Sequence, residues 1–178
     1  MENVDDNGFD LSQDSLYKSL PRFEQVVWDA QNDVHRNDDL PNWSPHQLTE
    51  PLLTVWAVAA VVEKTNNGSI QHFFEFDWPE FPPYQIFVDA LDRIAAFESA
   101  TILRSAVAVF TFPSPERDVE SRREIIDASF KDAEESGEAS RFDKWGHRLI
   151  DLTEENYRLL SDYIRGNISS FPTVAQRS

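Results

Sequence analysis

The segment covering residues 51–62 constrains the fold more than any other stretch, because eleven of its twelve residues are apolar. A helix that is apolar on all sides is either buried or inserted in a membrane, and crossing the hydrocarbon takes about 20 residues. Twelve residues are too few, so the segment predicts a buried central helix over about residues 51–64. Pro51 suits a first helical position, and Gly68 predicts a left-handed helix stop. Two runs of β-branched residues leave a buried strand as the alternative.

Most of the remaining chain has apolar residues three and four positions apart, with no alternating pattern and no internal repeat. This spacing predicts an all-α, single-domain bundle of about eight helices around the central one. Further helices are expected near residues 21–36, 70–76, 84–96, 102–110, 118–135, 144–150 and 153–168, with a bend near Glu98 and Ser99. We expect a flexible acidic N-terminus over residues 1–10, a helical domain over residues 11–171 and a C-terminal tail over residues 172–178.

The net charge of −16 comes from 32 acidic and 16 basic residues. Such a field repels nucleic acid and anionic membranes and attracts basic partners, so it argues against direct nucleic-acid binding. The excess is confined to residues 1–141, since residues 142–178 carry five acids and five bases. The sequence therefore predicts one acidic and one neutral surface. Acidity that serves solubility alone is the other interpretation.

The absence of cysteine excludes a disulfide framework, thiolate metal sites and a cysteine nucleophile. The first residues are acidic and include no apolar stretch of the kind found in secretory signals. We therefore expect a cytoplasmic protein that does not associate with membranes.

Catalytic and cofactor motifs are lacking: there is no Gly-x-Ser-x-Gly, phosphate loop or dinucleotide fingerprint, and only five glycines. The four histidines are not paired at helical spacing. His72 and Glu75 share one helical face, which makes at most a two-ligand fragment. A metal-dependent enzyme that uses this pair is the least favoured alternative, and we predict a non-enzymatic protein without cofactor or metal.

Acids that lie off the apolar stripes are the candidate partner-binding residues. They are Asp29, Asp33, Asp38, Asp39, Glu120, Glu124 and Asp127. The competing interpretation for residues 118–135 is a solvated face with pairs such as Asp127 and Lys131. One helix offers an acid about every 5 Å, whereas duplex DNA carries a charge about every 1.7 Å. Imitating a duplex would therefore need several helices or a dimer.

Several short motifs lie in a characteristic order over roughly residues 45–171. Asn67 and Gly68 are followed by Gln71 and then by an aromatic pair. Ala-Leu-Asp-Arg-Ile-Ala-Ala follows at residues 90–96, and Leu-Ser-Asp-Tyr-Ile-Arg-Gly-Asn at residues 160–167. Together these motifs resemble the bacterial DNA mimic protein nineteen family, whose pattern is Asn-Gly-Gly with a following glutamine; Ser69 stands in place of the second glycine.

The resemblance implies an all-α, often dimeric protein whose acidic surface copies duplex DNA and occupies the DNA-binding face of a transcription repressor. It also implies structural roles for Asn67, Gly68 and Gln71, with Gly68 ending a helix and Gln71 hydrogen-bonding the turn. Together with the charge, it predicts a DNA mimic that binds a helix-turn-helix regulator. The alternative is an immunity-type interaction protein that neutralises a basic partner.

Overall fold

The computed structural model describes residues 17–35, 44–78 and 80–177. Within these ranges the chain forms eight α-helices of at least six residues and no strand, which confirms the all-α prediction. The helices are α1 (Arg22–His35), α2 (Glu50–Glu75), α3 (Gln85–Arg93), α4 (Phe97–Val107), α5 (Val119–Ser136), α6 (Arg141–Asp151), α7 (Thr153–Gly166) and α8 (Pro172–Arg177). Short 3₁₀ turns lie at Pro45–Gln47, Pro115–Arg117 and Ile168–Ser170.

Helix α2 is the centre of the fold, as its apolar sequence predicts. It packs against α1, α3, α5, α6 and α7. Val55, Ala57, Val58 and Val61 on this helix are at most 2% exposed. Burial of this kind stabilises the fold by roughly 25 cal/mol for each Å² of apolar surface removed from water. No helix in the described ranges combines the length and the hydrophobicity that crossing a bilayer requires.

Helix α2 is broken at Gly68 and Ser69, and the predicted left-handed glycine is wrong. Gly68 is extended at φ 178°, and Ser69 has the positive φ, at 65° with ψ 178°. The break lies against Gly146 of α6, where a Cβ atom would come within 1.9 Å of the Ser69 hydroxyl oxygen. Because Gly146 is a glycine and has no Cβ, α6 can lie close to the break in α2.

The break between α3 and α4 lies at Ala95, three residues before the bend that was predicted at Glu98 and Ser99. Ala95 adopts φ 63°, and its N–H donates to the Asp92 carbonyl at 3.0 Å. The N–H of Ala96 donates to the Leu91 carbonyl at 2.9 Å. These bonds end α3 in the way that a left-handed residue ends many helices.

An aromatic cluster fills the space beside the second half of α2. The rings of Phe73 and Phe87 lie 5.0 Å apart and nearly perpendicular, and those of Phe74 and Phe110 lie 4.9 Å apart. Edge-to-face pairs of this kind add about 0.5–1.5 kcal/mol beyond the area that they bury. The Trp78 indole N–H donates to the Phe73 carbonyl at 3.2 Å, which ties the loop after α2 to the core.

The domain extends beyond residue 171, where the sequence predicted a tail. Residues 172–177 form α8, which packs against α1 and buries Val174. The amide and hydroxyl of Thr173 both donate to the carboxylate of Asp33.

Candidate partner-binding surface

Helix α5 is a charged, peripheral helix with clear signals at both ends. The Asp118 carboxylate accepts a hydrogen bond from the Ser121 N–H at 3.0 Å, and Gly137 ends the helix at φ 71°. Ile126 is fully buried against the core, and Ile125 and Phe130 are half-buried beside it. The helix contacts α2, α6 and the Pro115–Arg117 turn, which leaves its opposite face in solvent.

Arg122 anchors α5 from its inner side. Its guanidinium is fully buried, and it donates to the carbonyl of Phe74 at 2.6 Å and to the carbonyl of Pro115. Phe74 lies in the last turn of α2, where carbonyls lack helical partners, so Arg122 satisfies one of them. Arg122 forms no ion pair with the described acids.

The outer side of α5 and its cap expose seven carboxylates and two bases, and we call this set the α5 acidic row. The carboxylates belong to Asp118, Glu120, Glu124, Asp127, Asp132, Glu134 and Glu135. Arg123 pairs with Glu120 at 2.7 Å and Lys131 with Glu135 at 4.0 Å. The four other helix acids form no ion pair or hydrogen bond within the described part of the chain.

Surface acids on other helices are more often neutralised. Glu98 of α4 binds Arg148 of α6 through two bonds of 2.6 and 3.0 Å, and this bonding lowers the pKa of Glu98. Asp92 pairs with Arg104 at 2.7 Å, Glu154 with Arg158 at 2.6 Å and Asp162 with Arg165 at 3.1 Å. The α5 acidic row therefore holds a local excess of charge.

Asp29 and Asp33 do not face solvent, so the prediction of an outward position is wrong. They are only 2% and 5% exposed. Asp29 accepts hydrogen bonds from the Tyr17 hydroxyl at 2.8 Å and from Arg177 at 2.9 Å. The physical reason is that α8 folds back onto α1 and covers the face bearing both acids. They hold the C-terminal helix in place and cannot meet a partner while it is there.

The structure brings together three of the seven candidate acids, Glu120, Glu124 and Asp127, on one exposed helix. Asp38 and Asp39 lie outside the described residues. The row also includes four acids that the candidate set omitted, Asp118, Asp132, Glu134 and Glu135. For Glu134, its position seven residues after Asp127 is the signal that could have identified it, because two helical turns return to the same face.

Gln71 does not bond to the break in α2. Its side-chain amide donates to the Glu75 carboxylate at 2.7 Å, one turn further along the helix. His72 packs its ring against Phe76 at 6.5 Å. In the described ranges, no group of three or more His, Cys, Asp or Glu side chains is placed to hold a metal ion.

The fold and the surface together define a class: an all-helical domain built on one buried helix, with an acidic row on a peripheral helix. Residues 46–167 match the family model of DMP19-like proteins, which is more than half of the chain. The chain therefore belongs to the DMP19-like protein family, and the resemblance seen in its motifs is confirmed. No curated protein and no solved structure matches it.

Proposed function

We propose that this protein is a DNA mimic that acts without catalysis. It binds the DNA-binding face of a basic, helix-turn-helix transcription regulator and blocks access of DNA. The observation that carries the proposal is the α5 acidic row, where most of the helix acids have no basic partner in the described structure. Membership of the DMP19-like family supports it.

The charge density of the row is about two thirds of that of one strand of a nucleic acid. Seven carboxylates and two bases leave a net charge of −5, spread over about 26 Å of helix at 1.5 Å per residue. That is one net charge about every 5 Å, against about 3.4 Å for one DNA strand and 1.7 Å for the duplex. A second row, which a second copy of the chain would supply, brings the density to one net charge about every 2.6 Å, closer to that of the duplex.

The energetics of exposed carboxylates predict salt-sensitive binding. Each exposed ion pair contributes only about 0.2–1 kcal/mol, so affinity requires many pairs acting together. The summed field of the row steers a basic partner into contact and weakens as salt screens it. The proposal therefore requires the complex with the regulator to lose affinity as salt rises, as a DNA complex does.

A capture and displacement experiment tests the proposal. The immobilised protein is used at low salt to recover its partner, and the purified partner is then bound to a labelled DNA duplex. We expect a helix-turn-helix regulator and competitive release of its DNA, with poly-glutamate of equal total charge releasing much less. Retention of the DNA in a ternary complex would contradict DNA mimicry. Recovery of a basic toxin domain instead would favour the immunity-type alternative.

A further inference from the structure

A cleft of about 220 Å³ lies between α1, α2 and α7, away from the α5 acidic row. Trp28 of α1 and Tyr157 of α7 contribute aromatic rings to its lining, and Val27 contributes apolar surface. Pockets for drug-sized ligands measure about 300–1,000 Å³. The cleft is therefore the size for a single side chain or a small molecule of similar bulk.

Two carboxylates, those of Glu24 and Glu63, line this cleft, and no basic side chain lines it. Glu24 forms no hydrogen bond or ion pair within the described residues. Glu63 accepts one hydrogen bond, from the side-chain amide of Gln31 at 2.6 Å. The cleft thus carries two negative charges that the surrounding described structure leaves without a counter-charge.

The nearest basic residues of the same helices are engaged elsewhere. Arg158 pairs with Glu154 at 2.6 Å and lies over the Phe23 ring at 4.6 Å from its centre. Lys64 places its ammonium 3.5 Å from the centre of the Phe76 ring. Neither side chain lines the cleft.

Tyr157 lies within electrostatic reach of both carboxylates. Its pKa is raised, first by burial and then by the charges of Glu63 and Glu24. The phenol therefore stays neutral at physiological pH, and its residue lines the cleft together with Glu24 and Glu63. This combination of flat rings and carboxylates suits a flat cation.

We propose that the cleft between α1, α2 and α7 is a binding site for an alkyl guanidinium group, held by Glu24 and Glu63 and stacked on Trp28 or Tyr157. A guanidinium is planar and weakly hydrated, and its fork of N–H donors matches carboxylates. An ammonium is a strongly hydrated point charge and gains less from the rings. The site is independent of the proposed DNA mimicry, because it lies on other helices and binds its ligand without a regulator.

The test uses n-butylguanidinium and n-butylammonium as probes with matched alkyl chains. Binding to the full chain is followed by NMR at the indole N–H signal of Trp28, assigned with Trp28→Phe. We expect saturable shifts with butylguanidinium and an affinity several-fold lower for butylammonium. The proposal would be overturned if butylguanidinium caused no saturable shift, or if the two probes bound with equal affinity. This comparison needs only the unaltered protein.

A pair of charge-matched variants locates the site. The double variant that combines Glu24→Gln and Glu63→Gln should weaken butylguanidinium binding by about tenfold or more, because two charge-assisted contacts are lost. Glu120→Gln with Glu124→Gln removes the same charge from α5 and should leave binding unchanged. Equal loss in both variants would overturn the assignment to this cleft, with circular dichroism confirming that both remain helical.

The source of the guanidinium is resolved with a blocked Gly-Arg-Gly peptide. Binding as tight as that of butylguanidinium supports an arginine side chain of a basic partner as the ligand. Binding at least tenfold weaker supports a free small guanidine compound. In both cases the loss with Glu24→Gln and Glu63→Gln must persist, and its absence would overturn the site.

Discussion

At the scale of single residues, Ser69 holds a conformation that side chains rarely adopt. Its φ of 65° and ψ of 178° lie in a region occupied almost only by glycine, at a cost of about 1–3 kcal/mol. The Asn-Gly-Gly pattern that residues 67–69 resemble has glycine where this chain has Ser69. The break in α2 is therefore set by the chain path and by the approach of α6, and serine is tolerated there under strain.

Ser69→Gly should raise the free energy of unfolding by about 1 kcal/mol, because relief of strain exceeds the added flexibility of the unfolded chain. Urea denaturation followed by circular dichroism measures it. Ser105→Gly, in the exposed part of α4, is the control and should lower stability by about 0.5–1 kcal/mol. A loss of stability in Ser69→Gly would show that the serine side chain contributes more than its strain costs.

Gly146→Ala should destabilise the protein, and Ser69→Gly should reduce that loss. A Cβ at residue 146 would lie 1.9 Å from the Ser69 hydroxyl oxygen and 3.1 Å from its Cβ, and both atoms are absent in the double variant. A double-mutant cycle of unfolding free energies should give a coupling of about 1 kcal/mol or more. Additive effects would mean that α6 moves away instead of meeting Ser69.

The cap of α5 gives a pH prediction. Hydrogen bonds from the Ser121 N–H and then from its hydroxyl lower the pKa of Asp118. Since the folded pKa lies below the unfolded value of about 3.9, the stabilisation is complete above that value. It is lost as pH falls through the folded pKa. Ser121→Ala should raise the pKa of Asp118 part of the way back, as read from its carboxyl carbon in an NMR titration. An unchanged pKa would contradict a role for the hydroxyl.

At the scale of elements, α5 shows how a helix with a thin apolar stripe is held to the core. Ile126 is its one fully buried apolar residue, and Arg122 supplies the remaining attachment through carbonyls of α2 and the Pro115–Arg117 turn. A buried cation is costly unless it is well hydrogen-bonded. The fixed position of the acidic row therefore depends on a basic residue on the opposite side of its own helix.

Arg122→Met should lower the free energy of unfolding by about 2 kcal/mol or more, because it removes the donor to the buried Phe74 carbonyl and to the part-buried Pro115 carbonyl. Arg123→Met is the matched control, one residue further on. Its guanidinium is exposed and pairs with an exposed Glu120, so the change should stay within about 0.5 kcal/mol. Equal effects in thermal or urea denaturation would show that the buried guanidinium does not anchor α5.

The helices themselves could be predicted from the sequence because their signals are local. Asp118, Gly137 and the apolar spacing between them predict α5 to within a residue at each end. The positions of Asp29 and Asp33 could not be predicted, since the Thr173 amide that bonds Asp33 lies 140 residues away. Arg122 is similar, because its Phe74 acceptor is 48 residues earlier. Its burial depends on packing that no local pattern shows.

At the scale of the whole molecule, the net charge of −16 is distributed unevenly. Glu98 of α4 and Glu154 and Asp162 of α7 each pair with an arginine, whereas four of the six acids of α5 pair with no basic residue in the described part of the chain. Composition predicted an acidic surface and a neutral one, and the row on α5 is where the described structure concentrates the excess. The proposed function depends on this row, so it is the part of the molecule to alter.

The most direct test removes three negative charges from the α5 acidic row and measures displacement of DNA from the regulator recovered by capture. Glu120→Gln, Glu124→Gln and Asp127→Asn together should weaken binding to the regulator by about tenfold, with a shallower dependence on salt. Asp77→Asn, Asp151→Asn and Glu155→Gln remove the same charge from exposed positions elsewhere and should displace DNA nearly as well as the unaltered protein. Equal displacement by the two triple variants would contradict the assignment of partner binding to α5.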